Sequence, residues 1–522
     1  MSAPAAGSRA DAEAGALGGK EGRRRVAWLN LFFNYANLAV TLVSGILLVP
    51  AYLRSFSLGT YGAWLASGNV LGMVGVVDGG VNLVLSQQLA AQAARGDKAG
   101  FARTVSAGLG VTAASGLLVV GLGLLLSPHV PGWVKCPAAD AGALRWAFMV
   151  AAVGTGASLL AQGLGGVLQA WEAPRAAGLA NVTASVLGLV ATIVALALGW
   201  GVTSLAVGMA MRGGAGVLLA GAAVVLGWRR ARLPRFRLEP AAAGALLRAS
   251  APVFASRVGT ALLSNSESLI LAVIASPTLA GVVALTGRIH GFAGLLLAPI
   301  GSSAFAGVAR LQAAAPHERV REVLRELFGL SGAVTALLLG GAVAVNPGFV
   351  GLWVGGDAFG GELLSLALAV SAACTARFGL TNLMLNALGR PSGAAWIALI
   401  EAAARIPLTV VLVHHLGAIG LPIAAIATAV GVSGVLYAGQ LRVALGGDGF
   451  RVLTAGVGTP VVALGLGAAG AAVWVATTWL GWVAGGAFVG VVLAATVLGL
   501  SWPARSAAAR LLARPGMDGG LR

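Results

Sequence analysis

The chain is 522 residues long, 58% hydrophobic and only 10% charged, against about 25% charged in an average soluble domain, and its mean hydropathy is +0.90. That balance excludes a soluble enzyme, a disordered tail protein and a nucleic-acid binder, and leaves a multi-span membrane protein. The formal net charge of +17 does not point to nucleic acid, because Arg and Lys sit in short hydrophilic gaps that are alternately full and empty.

The apolar runs are continuous rather than alternating, which argues for helices and against a transmembrane barrel. A helix needs ~20 apolar residues to cross the ~30 Å hydrocarbon core. Fourteen such runs are read, at 26–49, 61–85, 104–127, 144–169, 176–199, 203–227, 250–275, 281–306, 327–346, 364–387, 393–413, 418–440, 455–478 and 481–502. The first is too long for a cleaved signal peptide and has no small-residue cleavage site after it. The expected organisation is an N-terminal tail (1–25), a six-helix lobe (26–227), a basic linker (228–249), a second six-helix lobe (250–440), an extra helix pair (455–502) and a C-terminal tail (503–522).

With the N-terminus inside, the outer gaps hold only Arg54, Lys135 and Arg145, while the inner gaps hold every other basic residue that lies outside a span. The positive-inside rule therefore puts both termini in the cytoplasm. The outer gaps are too short for a soluble catalytic domain. The stretch 310–326, with Arg319, Arg321 and Arg325 among Glu318, Glu322 and Glu326, reads as a short surface helix. Cys136 falls in an outer loop and Cys374 inside a span, so no disulfide is expected. The 79 glycines and the near absence of lysine read as compositional habit, without mechanism.

An internal repeat is visible. Gly166-Val-Leu-Gln-Ala-Trp-Glu-Ala-Pro-Arg175, a span and then Gly199-Trp-Gly201 is matched by Leu383-Met-Leu-Asn-Ala-Leu-Gly-Arg-Pro391, a span and then Gly417-Ala-Ile-Gly420. The two copies are six spans apart, an even number, so the halves are parallel repeats about an axis along the membrane normal, with a cavity between them. The last two spans lie outside the repeat.

Ionisable residues at membrane depth cost about 2.5–3.5 kcal/mol on insertion scales and are functional candidates for that reason. The basic set is Arg212, Arg257, Arg288, Arg377 and Arg405; the acidic set is Asp78, Glu267 and Glu401. Asn30, Asn34, Asn37, Thr41 and Ser44 share a narrow arc of the first span, a cavity wall able to hydrogen-bond a sugar or, equally, a helix–helix contact. Ser250, Arg257, Ser264 and Ser268 share one face of the seventh and suggest a groove for an anion. Glu401 and Arg405 are spaced i, i+4 with the acid first, the favourable order for an internal ion pair. Asp78 and Glu267 remain as candidate coupling or gating groups, one per half. Glu267 is too far along its helix to pair with Arg257 and is expected to be neutral at rest, ionising when the cavity opens. His290 reads as structural. No metal motif, nucleotide loop or nucleophile constellation appears.

Several motifs, in order, resemble a known family. They are Pro50-Ala-Tyr-Leu53, Leu58-Gly-Thr-Tyr-Gly62 with Trp64, Asp78-Gly79-Gly80 followed by Gln87, Gln88 and Arg95-Gly96-Asp97, then Ala284-Leu-Thr-Gly-Arg288 and Asn386-Ala-Leu-Gly-Arg390. This is similar to the O-antigen and capsule repeat-unit flippases of the multidrug/oligosaccharidyl-lipid/polysaccharide (MOP) superfamily, over spans one to twelve. Two departures stand out. The tyrosine usual in the segment aligned to Ala284 is missing, and the first span carries no charge, unlike the acidic cation site of many multidrug relatives. The lipid II flippases are similar in having fourteen spans and a cationic cavity, but arginines expected in their first helices are absent.

The resemblance implies a V of two six-helix bundles in the bacterial cytoplasmic (inner) membrane. Its substrate would be an undecaprenyl-diphosphate-linked oligosaccharide, moved from inner to outer leaflet by alternating access. Arg257, Arg288, Arg377, Asn30, Asn34, Asn37, Thr41 and Ser264 are the expected substrate contacts; Asp78, Glu267, Glu401 and Arg405 are the expected coupling or gating set. Membrane lipids surround the chain, H+ or Na+ is the candidate coupling ion, and a polysaccharide polymerase and glycosyltransferases are candidate partners. No cofactor and no catalytic residue is expected. The competing readings are a cation-coupled drug antiporter and a membrane-embedded glycosyltransferase or polymerase; the outer acids Asp140, Asp357 and Glu362 are too scattered for the latter. The charge map makes a direct prediction: reporter fusions within 228–249 should give a cytoplasmic signal, and fusions near Lys135 an external one.

Overall fold

The structure, a computed structural model, describes residues 7–501 except 79, 172, 235, 238 and 448, together with Ser506. Among the described residues there are helices and no strand. Eleven helical stretches are long and apolar enough to cross a membrane, and a twelfth is a pair bent by 41° between Arg257–Asn265 and Glu267–Ala275. Large apolar side chains face outward along them, such as Leu117 at 73%, Leu218 at 74% and Leu480 at 81% exposure. A soluble monomer rarely shows so much apolar surface; hydrocarbon is its natural solvent.

Each of the fourteen expected spans falls on helix. In chain order these are α1 Gly7–Ser55, α2 Leu58–Val74, α3 Val81–Arg95, α4 Lys98–Leu126, α5 Ala141–Ala170, α6 Pro174–Ala197, α7 Thr203–Ala231 and α8 Pro240–Asn265. They continue with α9 Pro277–Thr286, α10 Arg288–Ala314, α11 His317–Val354, α12 Glu362–Ala387, α13 Pro391–Leu416, α14 Gly420–Thr428, α15 Val435–Leu445, α16 Gly458–Val473 and α17 Trp479–Leu500. Ordinary signals set many of the ends. Asp97 caps α4 at the Gly100 amide (2.8 Å), Ser276 caps α9 at the Leu279 amide (3.1 Å), and prolines open α6, α9 and α13.

The repeat is visible in atomic detail at the two proline turns. After α5 the Trp171 amide donates to Val167 O and the Ala173 amide to Leu168 O. After α12 the Leu388 amide donates to Met384 O and the Arg390 amide to Leu385 O. The offsets are the same, and each turn is closed by the proline that starts the next helix.

Four spans are interrupted where a continuous helix was expected; the eighth breaks at Gly287, between α9 and α10. The second becomes a 3₁₀ turn at Gly75–Asp78, and Gly80 has φ 73, a left-handed conformation that favours glycine, before α3 starts. The seventh bends at Ser266 and ends in a π segment, Leu271–Ala275. The twelfth carries a second π segment, Ala429–Gly434, between α14 and α15. Such segments cluster at functional sites. The stretch 310–326 is not a separate surface helix. Pro316 holds Ala315 extended, so α10 ends at Ala314 and α11 starts at His317 as one 38-residue helix. At 1.5 Å per residue it is ~57 Å long, well beyond the ~30 Å hydrocarbon core.

The chain divides into two compact units: residues Met1–Phe56, Leu71–Pro131 and Ala138–Phe254 form one, and Ser57–Val70, Gly132–Pro137 and Ala255–Arg522 the other. Within unit 1, glycine makes the helix contacts. A Cβ on Gly116 of α4 would lie 2.8 Å from the Gly156 carbonyl oxygen of α5, one on Gly213 of α7 would lie 2.5 Å from Gly154 O of α5, and one on Gly188 of α6 would lie 2.8 Å from Gly208 O of α7. Phe33 of α1 lies flat on Gly178 of α6. A cluster of Leu85, Leu89, Phe101, Leu164 and Leu168 fills the space at one end of these helices.

Unit 2 repeats the device. On α11, Gly332, Ala336, Gly340, Ala344 and Gly348 recur every fourth residue. Opposite them are Gly456 and the α16 residues Ala463, Gly467 and Gly470: a Cβ on Gly340 would meet Ala463 O at 2.7 Å, and one on Gly467 would overlap Gly340 O. This is small-residue packing of the kind that joins helices in membranes. It fastens the extra helix pair, which Trp482 of α17 secures by donating its indole N–H to Val345 O at 3.0 Å. Gly62 of the Leu58-Gly-Thr-Tyr-Gly62 motif serves a similar seam, since a Cβ there would overlap the Pro277 carbonyl at the start of α9. At these seams the glycines are structural and not a compositional habit.

Adjacent glycines on α11 provide an internal control. Gly340→Ala should destabilise the protein by about 1–3 kcal/mol, the usual cost of overpacking. Gly341→Ala, whose Cβ would find its nearest neighbour at 3.9 Å, should leave the thermal midpoint in detergent unchanged or slightly raised.

Candidate functional site

The charged groups of unit 2 converge where its helices are broken. Glu267 is the first helical residue after the bend at Ser266. Its Oε1 accepts from Arg405 Nη2 at 2.7 Å, and Arg405 Nη1 also lies 3.8 Å from Glu401 Oε1. Ser433, inside the π segment Ala429–Gly434, donates its hydroxyl to Glu401 Oε2 at 2.5 Å. One guanidinium on α13 thus joins the broken seventh span, and one serine joins the broken twelfth. The Arg405 and Glu401 side chains are 12% exposed, while Glu267 is 37% exposed and forms the open edge. Two carboxylates share one cation, leaving the group with a formal charge of −1. The i, i+4 pair expected on α13 is present, but the shorter bond runs to Glu267. Glu267 therefore has the Arg405 guanidinium beside it in this conformation and is not alone.

The remaining span arginines separate into engaged and free. Arg377 of α12 donates to Phe328 O at 3.2 Å and Ala455 O at 2.8 Å, and lies 5.1 Å over the Phe328 ring. Its guanidinium holds α11 and the turn before α16, which leaves little of it for a ligand. Arg288 opens α10 with its guanidinium 5.4 Å over Phe292 and its Nε buried without a partner. Arg257 is exposed in the segment that bends, and among the described residues nothing pairs with its guanidinium. Ser264, two turns further along α8, is exposed as well. Ser250, expected on the same face, is instead buried and donates to Leu246 O. Arg212 of α7 is exposed and likewise without a described partner.

In unit 1 the asparagine stripe of α1 is divided. Ser185 of α6 donates to Asn37 Oδ1 at 2.8 Å, so that position is a helix–helix contact. Asn34 and Thr41 are exposed. Thr41 donates to Asn37 O, and Ser44, half-buried, to Val40 O. The side chains of Asn30 and Asp78 lie outside the described residues. Beside Asp78, the backbone of the 3₁₀ turn is held from α4, where Ser115 donates to Val77 O at 3.5 Å.

Two groups had no sequence signal. Asn346 of α11 donates to Thr286 O at 2.9 Å and to Ser365 Oγ at 2.8 Å, and Ser365 lies 3.1 Å from His290 Nε2. All are buried, and they clamp the break between α9 and α10. Asn382 donates to the Tyr437 hydroxyl at 3.2 Å beneath a Phe378–Tyr437 stack. Ser433 was missed for the same reason: nothing in a Gly-Val-Ser-Gly run indicates an acid 32 residues away. Cys136 and Cys374 are not joined in a disulfide. Among the described residues no group of three His, Cys, Asp or Glu is placed to hold a metal.

Comparison with known proteins adds the following. A family model described as "Polysaccharide biosynthesis protein" matches residues 29–306, just over half the chain. No curated protein sequence matches. Among solved structures, a lipid II flippase, MurJ, in an inward closed conformation is 12% identical with a TM-score of 0.67, covering 93% of this chain and 100% of that one. A point mutant of the MATE transporter VcmN of Vibrio cholerae is 16% identical with a TM-score of 0.57, covering 82% and 99%. An inward-facing multidrug-resistance MATE transporter of the MOP superfamily is 14% identical with a TM-score of 0.56, covering 78% and 98%. At these identities the likeness is one of fold.

The charge network carries its own test. Arg405→Met leaves Glu267 and Glu401 without their cation and should cost about 3–5 kcal/mol, as breaking a buried pair does. Adding Glu267→Gln to Arg405→Met should recover part of that loss. Thermal denaturation of the detergent-purified variants reads both.

Proposed function

The chain belongs to the polysaccharide biosynthesis protein family, and on that premise we propose that it is a flippase for an undecaprenyl-diphosphate-linked oligosaccharide. It would move the glycan from the inner to the outer leaflet of a bacterial cytoplasmic membrane by alternating access. The observation that carries this reading is Arg257: a cation nine residues before the bend of a span, exposed and unpaired among the described residues while Arg377 and Arg405 are occupied by protein groups. A guanidinium forks onto phosphate oxygens, and its charge stays on at any physiological pH. Ser264 lies on the same face beyond it, and Asn34 and Thr41 of α1 offer exposed amide and hydroxyl groups of the kind a sugar takes. Arg288 is the second candidate for the diphosphate.

The Glu267–Arg405–Glu401–Ser433 network is the proposed gating element. It joins the broken seventh and twelfth spans of unit 2 through interactions that depend on geometry, so a change in either break changes its pairing. Outward movement of an anionic head group is favoured by a negative-inside potential, at ~2.3 kcal/mol per elementary charge per 100 mV. H+ or Na+ coupling is then an addition rather than a requirement. An antiporter for cationic drugs has no use for an unpaired arginine at its site, and on this reading the MATE likeness stops at the fold.

Vesicles reconstituted with purified protein and a fluorescent undecaprenyl-diphosphate-linked glycan provide the test. The wild type should translocate, and faster with a negative-inside potential. Arg257→Ala should lose at least about tenfold in rate, the worth of one charge-assisted hydrogen bond, while keeping its thermal midpoint; Arg257→Lys should retain part of the activity. Wild-type rates for Arg257→Ala would sink the proposed site. Transport of a cationic dye with no glycan transport would favour the antiporter.

A further inference from the structure

One end of unit 2 carries a basic cleft that the proposed transport site does not use. It is formed by the first turns of α11, the last turn of α15 and the loop after it. Gly446 ends α15 in a left-handed conformation, φ 62. With Arg442, Val443 and Gly447 it lines a cavity of about 740 Å³. The Arg321 guanidinium of α11 lies directly against Gly447, where an added Cβ would overlap Nη1. The His317 ring lies beside Gly446, 3.8 Å from where a Cβ would be. Glycine at 447 leaves room for Arg321, and glycine at 446 accommodates the left-handed turn.

Among the described residues the cations have no strong counter-charge; Asp448 of the loop lies outside those residues. Arg321 is 3.6 Å from Glu318, but that carboxylate is 88% exposed, and such surface pairs are weak. Arg442 has no partner among the described residues. The surroundings are apolar: Val443 is 64% exposed, and Phe450, just past the loop, is 65% exposed. A cationic cavity beside exposed apolar side chains, at the end of an apolar helix, matches a molecule with an anionic head and an apolar tail. A soluble anion would gain nothing from Val443 and Phe450.

We propose that this cleft binds an anionic phospholipid from the leaflet it faces, its phosphate on Arg442 and Arg321 and its acyl chains along Val443 and Phe450. The arginines bind as forks rather than as diffuse charge, so the site distinguishes a bound lipid from the general attraction of a basic surface. The inference does not depend on the transport reading.

The test is thermal denaturation of the purified full-length chain in neutral detergent, with added phosphatidylglycerol, phosphatidylcholine or inorganic phosphate. Phosphatidylglycerol should raise the midpoint where the other two leave it unchanged. Arg442→Gln should raise the phosphatidylglycerol concentration needed for half the effect by about tenfold. Arg319→Gln, on α11 but directed away from the cleft, should leave it unaltered. If Arg442→Gln is itself less stable than the wild type, Val443→Asn gives a second reading, because it alters only the apolar contact and should also weaken the lipid response. An equal response in the wild type, Arg442→Gln and Val443→Asn overturns the proposal. So does a midpoint raised equally by inorganic phosphate alone, which would make the cleft a soluble-anion site.

Discussion

Helices inside a bilayer gain nothing from hiding apolar surface from one another, because the lipid is as apolar as they are. What remains is contact at short range, and the fold depends on how closely backbones approach. Gly116 against Gly156, Gly213 against Gly154 and Gly340 against Gly467 each put one helix against the main chain of the next. The large side chains are turned out to lipid or collected into separate clusters. Leucine and phenylalanine provide solubility in the membrane, and glycine provides cohesion within the units. This inverts the division of labour in a soluble core.

The same solvent makes every charge within a span expensive, and the protein handles its span arginines differently. Arg377 is engaged by two backbone carbonyls and a ring, Arg405 by two carboxylates, and Arg288 in part by a ring. Arg257 is left open. Arg212 of α7 is open as well, but Arg257 is the open one in the span that bends. The interruptions of the spans follow a similar pattern. Irregular backbone at membrane depth is tolerated where protein groups satisfy it, and here Ser115 reaches Val77 O at one break and Asn346 reaches Thr286 O at another.

Much of this was legible in the sequence, and the limits have physical causes. Apolar runs locate helices because length and hydropathy are local quantities. The repeated turn could be read from Pro174 and Pro391 because a proline turn has a fixed local geometry. The breaks were harder. Gly79-Gly80 permits a kink without requiring one, and Ser266 carries no breaker at all. Pro316, by contrast, marked the α10–α11 turn plainly, yet the charged residues after it suggested a separate helix when they are the first turns of a long one. The site was least legible. Glu267 and Arg405 are 138 residues apart, so their pairing is a property of the assembled unit. Arg377 seemed available because a sequence does not show which carbonyls lie within reach. The glycines were the opposite case, counted correctly and given no role, since a count does not show what faces them.

The α11 seam also restricts how this sequence can change over generations. Every glycine codon begins with two guanines, and any amino-acid replacement reached from it by one base change adds at least a methyl group. At Gly340 that methyl meets the Ala463 carbonyl, and Gly467 has the same problem with Gly340. Neither position has a smaller neighbour in the genetic code to retreat to, and compensation would require the facing helix to move as a whole. Lipid-facing leucines, exchangeable among apolar residues by single-base steps, are free to drift. Among descendants of this chain the oldest surviving letters should therefore be its smallest ones.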